Sequence, residues 1–130
     1  MRVFGLALAA LMLCGVTAVS AQTPATTVVS PSERTVFVQV GRLLAEVAAS
    51  GCEFYRNGGW YDAAAAARHL RDKYQYLQAR RPLARTEDFI EQAASRSSFS
   101  GTAYRVRCPG QATVSSRQWL LARLARLRGG

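Results

Sequence analysis

The stretch CEFYRNGGWY, residues 52–61, decides the fold of this chain. Extended and aromatic residues lie on both sides of Asn57-Gly58, the dipeptide most typical of a two-residue hairpin turn, because both positions accept the positive φ angles that such a turn requires. The stretch therefore predicts two short antiparallel strands. Asp62 follows directly and predicts the N-cap of a helix, which begins with the alanines of residues 63–67 and ends before Pro82.

N-terminal to the hairpin, the sequence predicts a helix over residues 31–50. Ser30 and Glu33 have the spacing of a capping box, and Pro31 occupies the first helical position, where its missing N–H has no helical partner to lose. Gly51 is a natural end for this helix. The apolar residues of the helix recur at the spacing of one buried stripe: Val36, Val40, Leu43, Leu44 and Val47.

C-terminal to the second helix, the sequence predicts two more helices and one strand. Thr86 is the predicted N-cap of the third helix, and Ser115 is that of the last. Residues 104–108 alternate between apolar and polar side chains, as a strand does, and Pro109 ends the alternation. The chain is therefore predicted to be α+β, with about four helices packed on a small antiparallel sheet that consists of the hairpin and one later strand.

The composition is that of one globular domain. The chain has 130 residues, 49% of them hydrophobic, and its formal net charge of +9 comes from 16 Arg and one Lys against eight acidic residues. This length excludes large two-domain enzymes and barrels of about 250 residues, and a single His excludes a multi-histidine metal site. We expect one α+β domain over residues 31–130, without a metal ion or cofactor.

Residues 1–21 have the pattern of a secretory signal peptide. Arg2 is followed by an apolar run, and a small-x-small motif ends at Ala21. We expect cleavage after Ala21, a flexible leader over residues 22–30, and no integral membrane segment in the mature chain. The alternatives are an uncleaved anchor, although the run is shorter than the roughly 20 residues of a membrane span, and a lipoprotein modified at Cys14.

Export would leave Cys52 and Cys108 in an oxidising compartment, where disulfides persist. Because two cysteines remain, the simplest expectation is a bond between them. The chain-entropy model assigns a loop of this length a stabilisation of about 4 kcal/mol. The alternative is a redox-active pair, but the two residues of such a pair usually lie close together in sequence.

Four short motifs in the middle of the chain occur in an order and spacing that resemble a known family. They are Phe54-x-Arg56-Asn57-Gly58, His69-Leu70-Arg71-x-Lys73, Thr86-Glu87-x-Phe89-Ile90 and Ala94-Ser95-x-Ser97-Ser98-x-Ser100-Gly101-x-x-Tyr104. Through these motifs, residues 54–110 resemble the YfeK-like family of small exported bacterial proteins, a domain of unknown function. The resemblance implies a Gram-negative envelope protein and brings no enzymatic activity or cofactor with it.

Polar residues of these motifs are the candidates for a ligand-binding site. His69 and Lys73 lie four residues apart, so they are neighbours on one face of the predicted helix, beside its apolar stripe. They could clamp an anionic ligand, or His69 could act as a general base. The alternative for His69 is a hydrogen bond to a loop carbonyl. The full candidate set is Arg56, Asn57, His69, Lys73, Ser95 and Ser98.

The serine-rich segment 95–101 allows a second interpretation. Ser98 or Ser100, activated by His69, would give a small hydrolase. The segment lacks the G-x-S-x-G elbow of many such enzymes, and no acidic residue is spaced to orient His69. A turn stabilised by its serines, or an anion-binding turn built from backbone N–H groups, is the alternative. We therefore expect no catalytic residue.

The positive charge is concentrated in the second half of the chain. Residues 80–130 hold ten Arg and three acidic residues, for a net charge of +7. Such a field attracts polyanions, although no recognisable nucleic-acid-binding motif is present, so nucleic acid is not expected as a partner. The alternative is a solvated basic surface. We expect the anion-binding side chains to be exposed and to lie in two pairs, Arg105 with Arg107 and Arg123 with Arg126, with Arg80, Arg81 or Arg85 beside one of them.

These patterns predict an exported, periplasmic bacterial protein that is not an enzyme and that acts by binding or by supporting the envelope. The first alternative is a binder of anionic envelope components, namely lipopolysaccharide, anionic lipid or extracellular DNA, through the basic second half. The second alternative is the Ser/His hydrolase. Beyond an anionic envelope component, the sequence indicates no partner.

Overall fold

The computed structural model describes residue 5, residue 10 and residues 14–130. Eleven of the 21 residues of the predicted signal peptide therefore lie outside the described residues. Residues 14–30 form no helix or strand, and the rest of the described chain forms four helices and four strands. These elements are α1 Pro31–Ala49, β1 Glu53–Arg56, β2 Gly59–Tyr61, α2 Ala63–Arg80, α3 Thr86–Ala93, β3 Arg105–Arg107, β4 Val114–Ser115 and α4 Ser116–Gly129. The predicted α+β class, with helices packed on a small antiparallel sheet, is confirmed.

The first two helices begin at the predicted capping residues. Ser30 Oγ accepts a hydrogen bond from the Glu33 N–H at 3.1 Å, and the Glu33 carboxylate accepts one from the Ser30 N–H at 2.8 Å, which completes the capping box. Gly51, with a φ of +65°, follows the end of α1. Asp62 caps α2 by accepting a hydrogen bond from the Ala65 N–H at 2.7 Å.

The hairpin supplies two of the four strands in a sheet of order β2-β1-β3-β4, in which every neighbouring pair is antiparallel. Asn57 and Gly58 form the predicted turn, with φ angles of +47° and +87°, as a type I′ turn requires. β3 pairs with β1, so Val106 lies directly opposite Phe54 and both side chains are buried. The sequence predicts no strand at β4, because two residues are too few to show alternation.

The helices cover one face of the sheet and enclose the core with it. Phe54 of β1 contacts Trp119 of α4 edge-to-face, with ring centroids 5.7 Å apart. Tyr74 of α2 contacts Phe89 of α3 in the same geometry and at the same separation. Side chains from three helices and β3 are the most deeply buried: Val40, Leu43, Val47, Phe89, Ile90, Val106, Leu120 and Leu124.

The predicted disulfide joins Cys52 and Cys108, whose Cα atoms are 4.3 Å apart. Cys52 lies between α1 and β1, and Cys108 directly follows β3, so the bond connects the end of α1 to the two central strands. Cys52 is only 3% exposed and belongs to the core. Cys14 is exposed and free.

One capping prediction is wrong. Thr86 is the first residue of α3 rather than its N-cap, and the N-cap is Arg85, whose backbone N–H donates to the Asp88 carboxylate at 3.1 Å. The Thr86 hydroxyl is buried instead and donates to Gln39 Oε1 at 2.7 Å. It therefore connects α3 to α1 rather than closing the first turn of its own helix.

Candidate functional site

Four side chains from three parts of the chain form one connected polar cluster. Arg56, the last residue of β1, donates from Nη1 to Nδ1 of His69 on α2 at 2.6 Å. Nε2 of His69 lies 3.3 Å from the hydroxyl oxygen of Tyr104, and Nζ of Lys73 lies 3.4 Å from the same oxygen. Lys73 also donates to the backbone carbonyl of Arg96 at 3.3 Å. We call Arg56, His69, Lys73 and Tyr104 the His69 cluster.

The backbone holds Tyr104 in place directly before β3. Its N–H donates to the Ser95 carbonyl at 3.0 Å, and its own carbonyl accepts from the Ser116 N–H at 2.9 Å. The side chain is 6% exposed, and its ring lies 5.1 Å from Lys73 Nζ. The phenol hydroxyl is thus presented to α2, where His69 and Lys73 are one helical turn apart.

The direction of the hydrogen bonds through the cluster is set by Arg56. A guanidinium group only donates, so Nδ1 of His69 accepts, and the ring proton of the neutral imidazole lies on Nε2. This Nε2–H donates to the Tyr104 hydroxyl oxygen, which also accepts from Lys73. The O–H proton of Tyr104 is therefore not used within the cluster, and it can donate to a ligand.

Burial and positive neighbours keep the imidazole neutral. Burial, followed by the charges of Arg56 and Lys73, lowers the pKa of His69, and the charge of Asp72 opposes this shift. Burial and the Arg56 charge also lower the pKa of Lys73, and burial raises the pKa of Tyr104. Within the described residues, neither Arg56 nor Lys73 forms an ion pair with a carboxylate. The cluster therefore carries uncompensated positive charge.

A cavity of about 160 Å³ opens beside the cluster. Arg56, His69 and Tyr104 line one part of it, and Arg56 lies over the Tyr61 ring at 4.7 Å from its centroid. A cavity of about 150 Å³ in another protein accommodates benzene. The arrangement is suited to an apolar group of that size with an anionic group at the cluster. The remaining lining is mainly apolar and includes Phe54, Ala65, Ala66 and Leu70.

The serine-rich segment forms a turn that lies against the hairpin. Ser97 Oγ accepts hydrogen bonds from the N–H groups of Phe99 and Ser100, each at 3.2 Å. Ser100 donates to Asn57 Oδ1 at 2.9 Å and so connects this turn to the Asn57-Gly58 turn. The serine hydroxyls of Ser97 and Ser100 therefore stabilise a local turn, which is the structural alternative for this segment.

The six predicted ligand-binding residues lie in different places. Arg56, His69 and Lys73 meet in the cluster, and Ser98 is exposed beside it, in a shallow depression that His69 and Lys73 also line. Ser95 is buried and points away, because its hydroxyl donates to the Ile90 carbonyl at 2.7 Å. Asn57 contacts Ser100 rather than the cluster.

Sequence reasoning does not identify Tyr104 as a site residue. It ends the last motif and begins the predicted strand, which indicates only a structural role. The available signal is the alternation of the strand, since Tyr104 and Val106 are two residues apart and must lie on the same, inward face. An inward tyrosine needs a polar partner for its hydroxyl, and the sequence predicts His69 and Lys73 beside the apolar stripe of a helix that packs on the sheet.

The arginines of the second half do not form two exposed pairs. Arg105, Arg107 and Arg126 are exposed as predicted, but the prediction for Arg123 is wrong. The side chain of Arg123 is 23% exposed, its guanidinium lies 3.6 Å from the centroid of the Trp119 ring, and it donates to the Glu46 carboxylate at 2.9 Å. Packing of α4 against α1 covers this position, so the charge there serves the contact between the two helices.

Ion pairs compensate much of the charge of the basic half. Arg107 contacts Glu53 on the neighbouring strand β1 at 2.8 Å. In the part of the chain that the structure describes, Arg105 and Arg126 have no carboxylate partner. The three acidic residues of the second half each contact an arginine, in the pairs Asp88 with Arg85, Glu91 with Arg117, and Glu87 with Arg128.

Two further observations apply to the described residues alone. No group of three His, Cys, Asp or Glu side chains is placed to hold a metal ion. No helix among them combines the length and apolar character needed to cross a bilayer.

The fold and the site define a small α+β domain with a cationic cluster beside an apolar cavity. The chain belongs to a family of unknown function (DUF5329), whose sequence profile matches residues 34–128. The matched range includes the hairpin, both disulfide cysteines and the His69 cluster. Comparison with curated proteins and with solved structures gives no match.

Proposed function

We propose that this protein is a non-catalytic binding protein of the bacterial cell envelope, and that it holds a small ligand by an anionic group at the His69 cluster. The observation that carries the proposal is the line of contacts from Arg56 through His69 to Tyr104 and Lys73, beside the cavity. Two cations approach a neutral imidazole there. Partly buried charges of one sign are unfavourable unless an anion compensates them.

The donors of the cluster suit an oxyanion. Arg56 uses Nη1 for His69 and keeps other N–H groups of its planar fork. Tyr104 adds an O–H whose proton the cluster does not use. Charge-assisted bonds of this kind are the strong ones in proteins, and carboxylate and phosphate are the groups whose geometry matches a guanidinium. The proposed ligand therefore carries a carboxylate or a phosphate.

The cavity sets the size of the remainder of the ligand. Its volume of about 160 Å³ and its apolar walls fit a group about as large as one aromatic ring or a short alkyl chain. Phe54 and Leu70 are buried at its inner end. We therefore propose an amphiphilic ligand, with its anion at Arg56 and Tyr104 and its apolar part toward Phe54 and Leu70.

The environment of His69 supports a binding role over a hydrolytic one. A general base needs a free ring nitrogen within hydrogen-bond distance of the nucleophile. Nδ1 of His69 accepts from Arg56 and Nε2 contacts Tyr104, so both nitrogens are engaged. The Ser100 hydroxyl is directed to Asn57. Protonation of His69 would also place a third cation beside Arg56 and Lys73.

Export to the periplasm of a Gram-negative bacterium completes the proposal. It rests on the pattern of residues 1–21, on the resemblance to the YfeK-like family, and on the Cys52–Cys108 bond, which suits an oxidising compartment. The check is N-terminal sequencing of the protein from a periplasmic fraction. A first residue of Gln22 supports the proposal, and an intact N terminus in the cytoplasmic fraction contradicts it.

The anion requirement is tested by calorimetric titration of the exported protein. Benzoate and phenyl phosphate present the two oxyanions on one ring, and benzyl alcohol presents the same ring without charge. We expect both anions to bind, and Arg56→Gln to weaken benzoate binding about tenfold or more, as loss of a charged hydrogen bond implies. Arg71→Gln removes the same charge from an exposed position on α2 and is expected to bind like wild type. Equal affinity for benzyl alcohol and benzoate, or equal losses in the two variants, would contradict the proposal.

A further inference from the structure

A layer of aromatic and arginine side chains lies on the outer face of the sheet, away from the helices. Strand alternation turns Val106 inward, and the register places Tyr55 opposite both Trp60 and Arg105 on the outer face. The rings of Tyr55 and Trp60 contact edge-to-face with centroids 5.4 Å apart. We call the outward set the sheet platform; it consists of Tyr55, Trp60, Arg105 and Arg107.

Both arginines of the platform lie over its rings. The Arg105 guanidinium is 4.3 Å from the Tyr55 centroid, and that of Arg107 is 3.9 Å from the Trp60 centroid. Cation–π contacts of this kind hold the guanidinium groups against the sheet, so they lose less freedom when they bind an anion. The carboxylate of Glu53 compensates the charge of Arg107, whereas Arg105 has no carboxylate partner in the described residues. The platform therefore presents one pre-positioned cation without a counter-charge.

We propose that the sheet platform binds the phosphate groups of an anionic lipid surface. A guanidinium group matches a phosphate with two parallel hydrogen bonds. Tyr and Trp favour the boundary between water and a bilayer, because each has an apolar ring and a polar group. The net charge of +7 in residues 80–130 adds a long-range attraction to such a surface.

Single-stranded nucleic acid fits the platform less well. Its bases bind sheet surfaces by stacking on free aromatic faces. In the sheet platform, Arg105 lies over Tyr55 and Arg107 lies over Trp60, so guanidinium groups occupy the positions that bases would need. A partner can still contact the N–H edges of Arg105 and Arg107, and such edges match a phosphate group.

The platform and the His69 cluster are separate sites. Arg105 and Tyr104 are neighbours in sequence, but Arg105 is exposed on the outer face and Tyr104 is buried on the inner one. Tyr55 belongs to the platform and also lines the cavity. The platform is therefore tested at Arg105, which does not line the cavity, and the ligand site at Arg56, which does not belong to the platform. Failure of one proposal leaves the other intact.

Flotation with phosphatidylcholine vesicles, with and without phosphatidylglycerol, tests the platform. We expect binding only to the anionic vesicles at low salt, and Arg105→Gln to lower the partition coefficient about fivefold, the contribution of one Arg near such a surface. Arg126→Gln is the charge-matched control, since Arg126 is exposed on α4 and also lacks a carboxylate partner among the described residues. Equal losses in the two variants would assign binding to net charge alone and overturn the proposal. The wild type and both variants are compared as the exported protein with the same N terminus, so a difference between them comes from the substitution.

The orientation on the vesicle is tested by tryptophan fluorescence. The chain has two tryptophans, of which Trp119 is buried and Trp60 is half-buried on the platform. We expect brominated phosphatidylglycerol vesicles to quench the wild type, and Trp60→Phe to abolish most of the quenching while the protein still binds. Quenching that persists in Trp60→Phe, or binding of a single-stranded oligonucleotide in preference to vesicles, would contradict the proposal.

Discussion

Arg56 Nη1 lies 2.6 Å from Nδ1 of His69, and this contact organises the candidate site. Because a guanidinium group cannot accept, the ring must be neutral and must carry its proton on Nε2. The chain contains one histidine, so its ring signals report on this site alone.

We predict that His69 titrates below its ordinary pKa of 6.5, because burial and the Arg56 charge disfavour the imidazolium. Arg56→Gln removes the second cause and should raise the pKa of His69 toward that ordinary value. Imidazole ¹⁵N shifts, recorded across pH, give both the pKa and the tautomer. An Nδ1–H tautomer, or a pKa that Arg56→Gln leaves unchanged, would show that the Arg56–His69 contact is not formed in solution.

The disulfide should account for a large part of the stability. Replacing Cys52 and Cys108 together by Ser should lower the free energy of unfolding by about 4 kcal/mol, the value for a loop of this length, and more if the Ser at position 52 is poorly accommodated in the core. Cys14→Ser is the control and should have no effect, since Cys14 is exposed and free. Denaturant unfolding measures both. A loss below about 1 kcal/mol for the double variant would contradict the expectation.

Acid should weaken the contact between α3 and α4. The hydrogen bonds from Arg128 lower the pKa of Glu87 from 4.5 to about 2. Because the unfolded chain takes up this proton at higher pH than the folded one, the stabilisation is complete above pH 4.5 and is lost as the pH falls to about 2. Glu87→Gln should therefore lower the melting temperature at pH 6 and have little effect near pH 2. If the difference in melting temperature between the wild type and Glu87→Gln stayed constant from pH 6 to about pH 2, the low pKa of Glu87 would be contradicted.

Substitution by alanine should change the free energy of unfolding in opposite directions at two glycines, Gly58 and Gly41. Gly58 has a φ of +87° in the hairpin turn, and a methyl group added there would meet no atom within 4 Å, so Gly58→Ala carries only the cost of the left-handed backbone, about 1 kcal/mol. Gly41 lies in the middle of α1 on an exposed position, so Gly41→Ala should stabilise the protein by up to about 1 kcal/mol. Chemical denaturation of both variants is the measurement, and a shared sign would contradict the turn or the helix.

The local features of the fold were predictable from the sequence because few residues determine them. Asn57-Gly58 between extended and aromatic residues is the strongest short-range signal for a hairpin turn, and Ser30, Glu33 and Asp62 satisfy N–H groups within three residues of themselves. The disulfide followed from the number of cysteines. Thr86 failed as a cap because its buried hydroxyl donates to Gln39, which lies 47 residues away in the chain.

The site was only partly predictable, because its contacts join distant parts of the chain. Helical spacing brought His69 and Lys73 together on one face, but nothing local places Arg56 at Nδ1 or Tyr104 at Nε2, 35 residues beyond His69. Arg123 was misplaced for the same reason, since its partner Glu46 is 77 residues earlier in the chain. Charge counts along the sequence show where arginines occur but not which carboxylates they meet.

The role proposed for the His69 cluster and its cavity is to bind an anionic group on a small apolar body. Its most direct test is the ¹H–¹⁵N spectrum of the His69 ring during a titration with benzoate, with benzyl alcohol as the uncharged comparison. We expect a saturable shift of the ring signals with benzoate, a much weaker response to benzyl alcohol, and, in Arg56→Gln, a shift that needs about tenfold or more benzoate to reach the same extent. Ring signals that stay unchanged up to the solubility limit of benzoate, or that respond equally to both compounds, would contradict it.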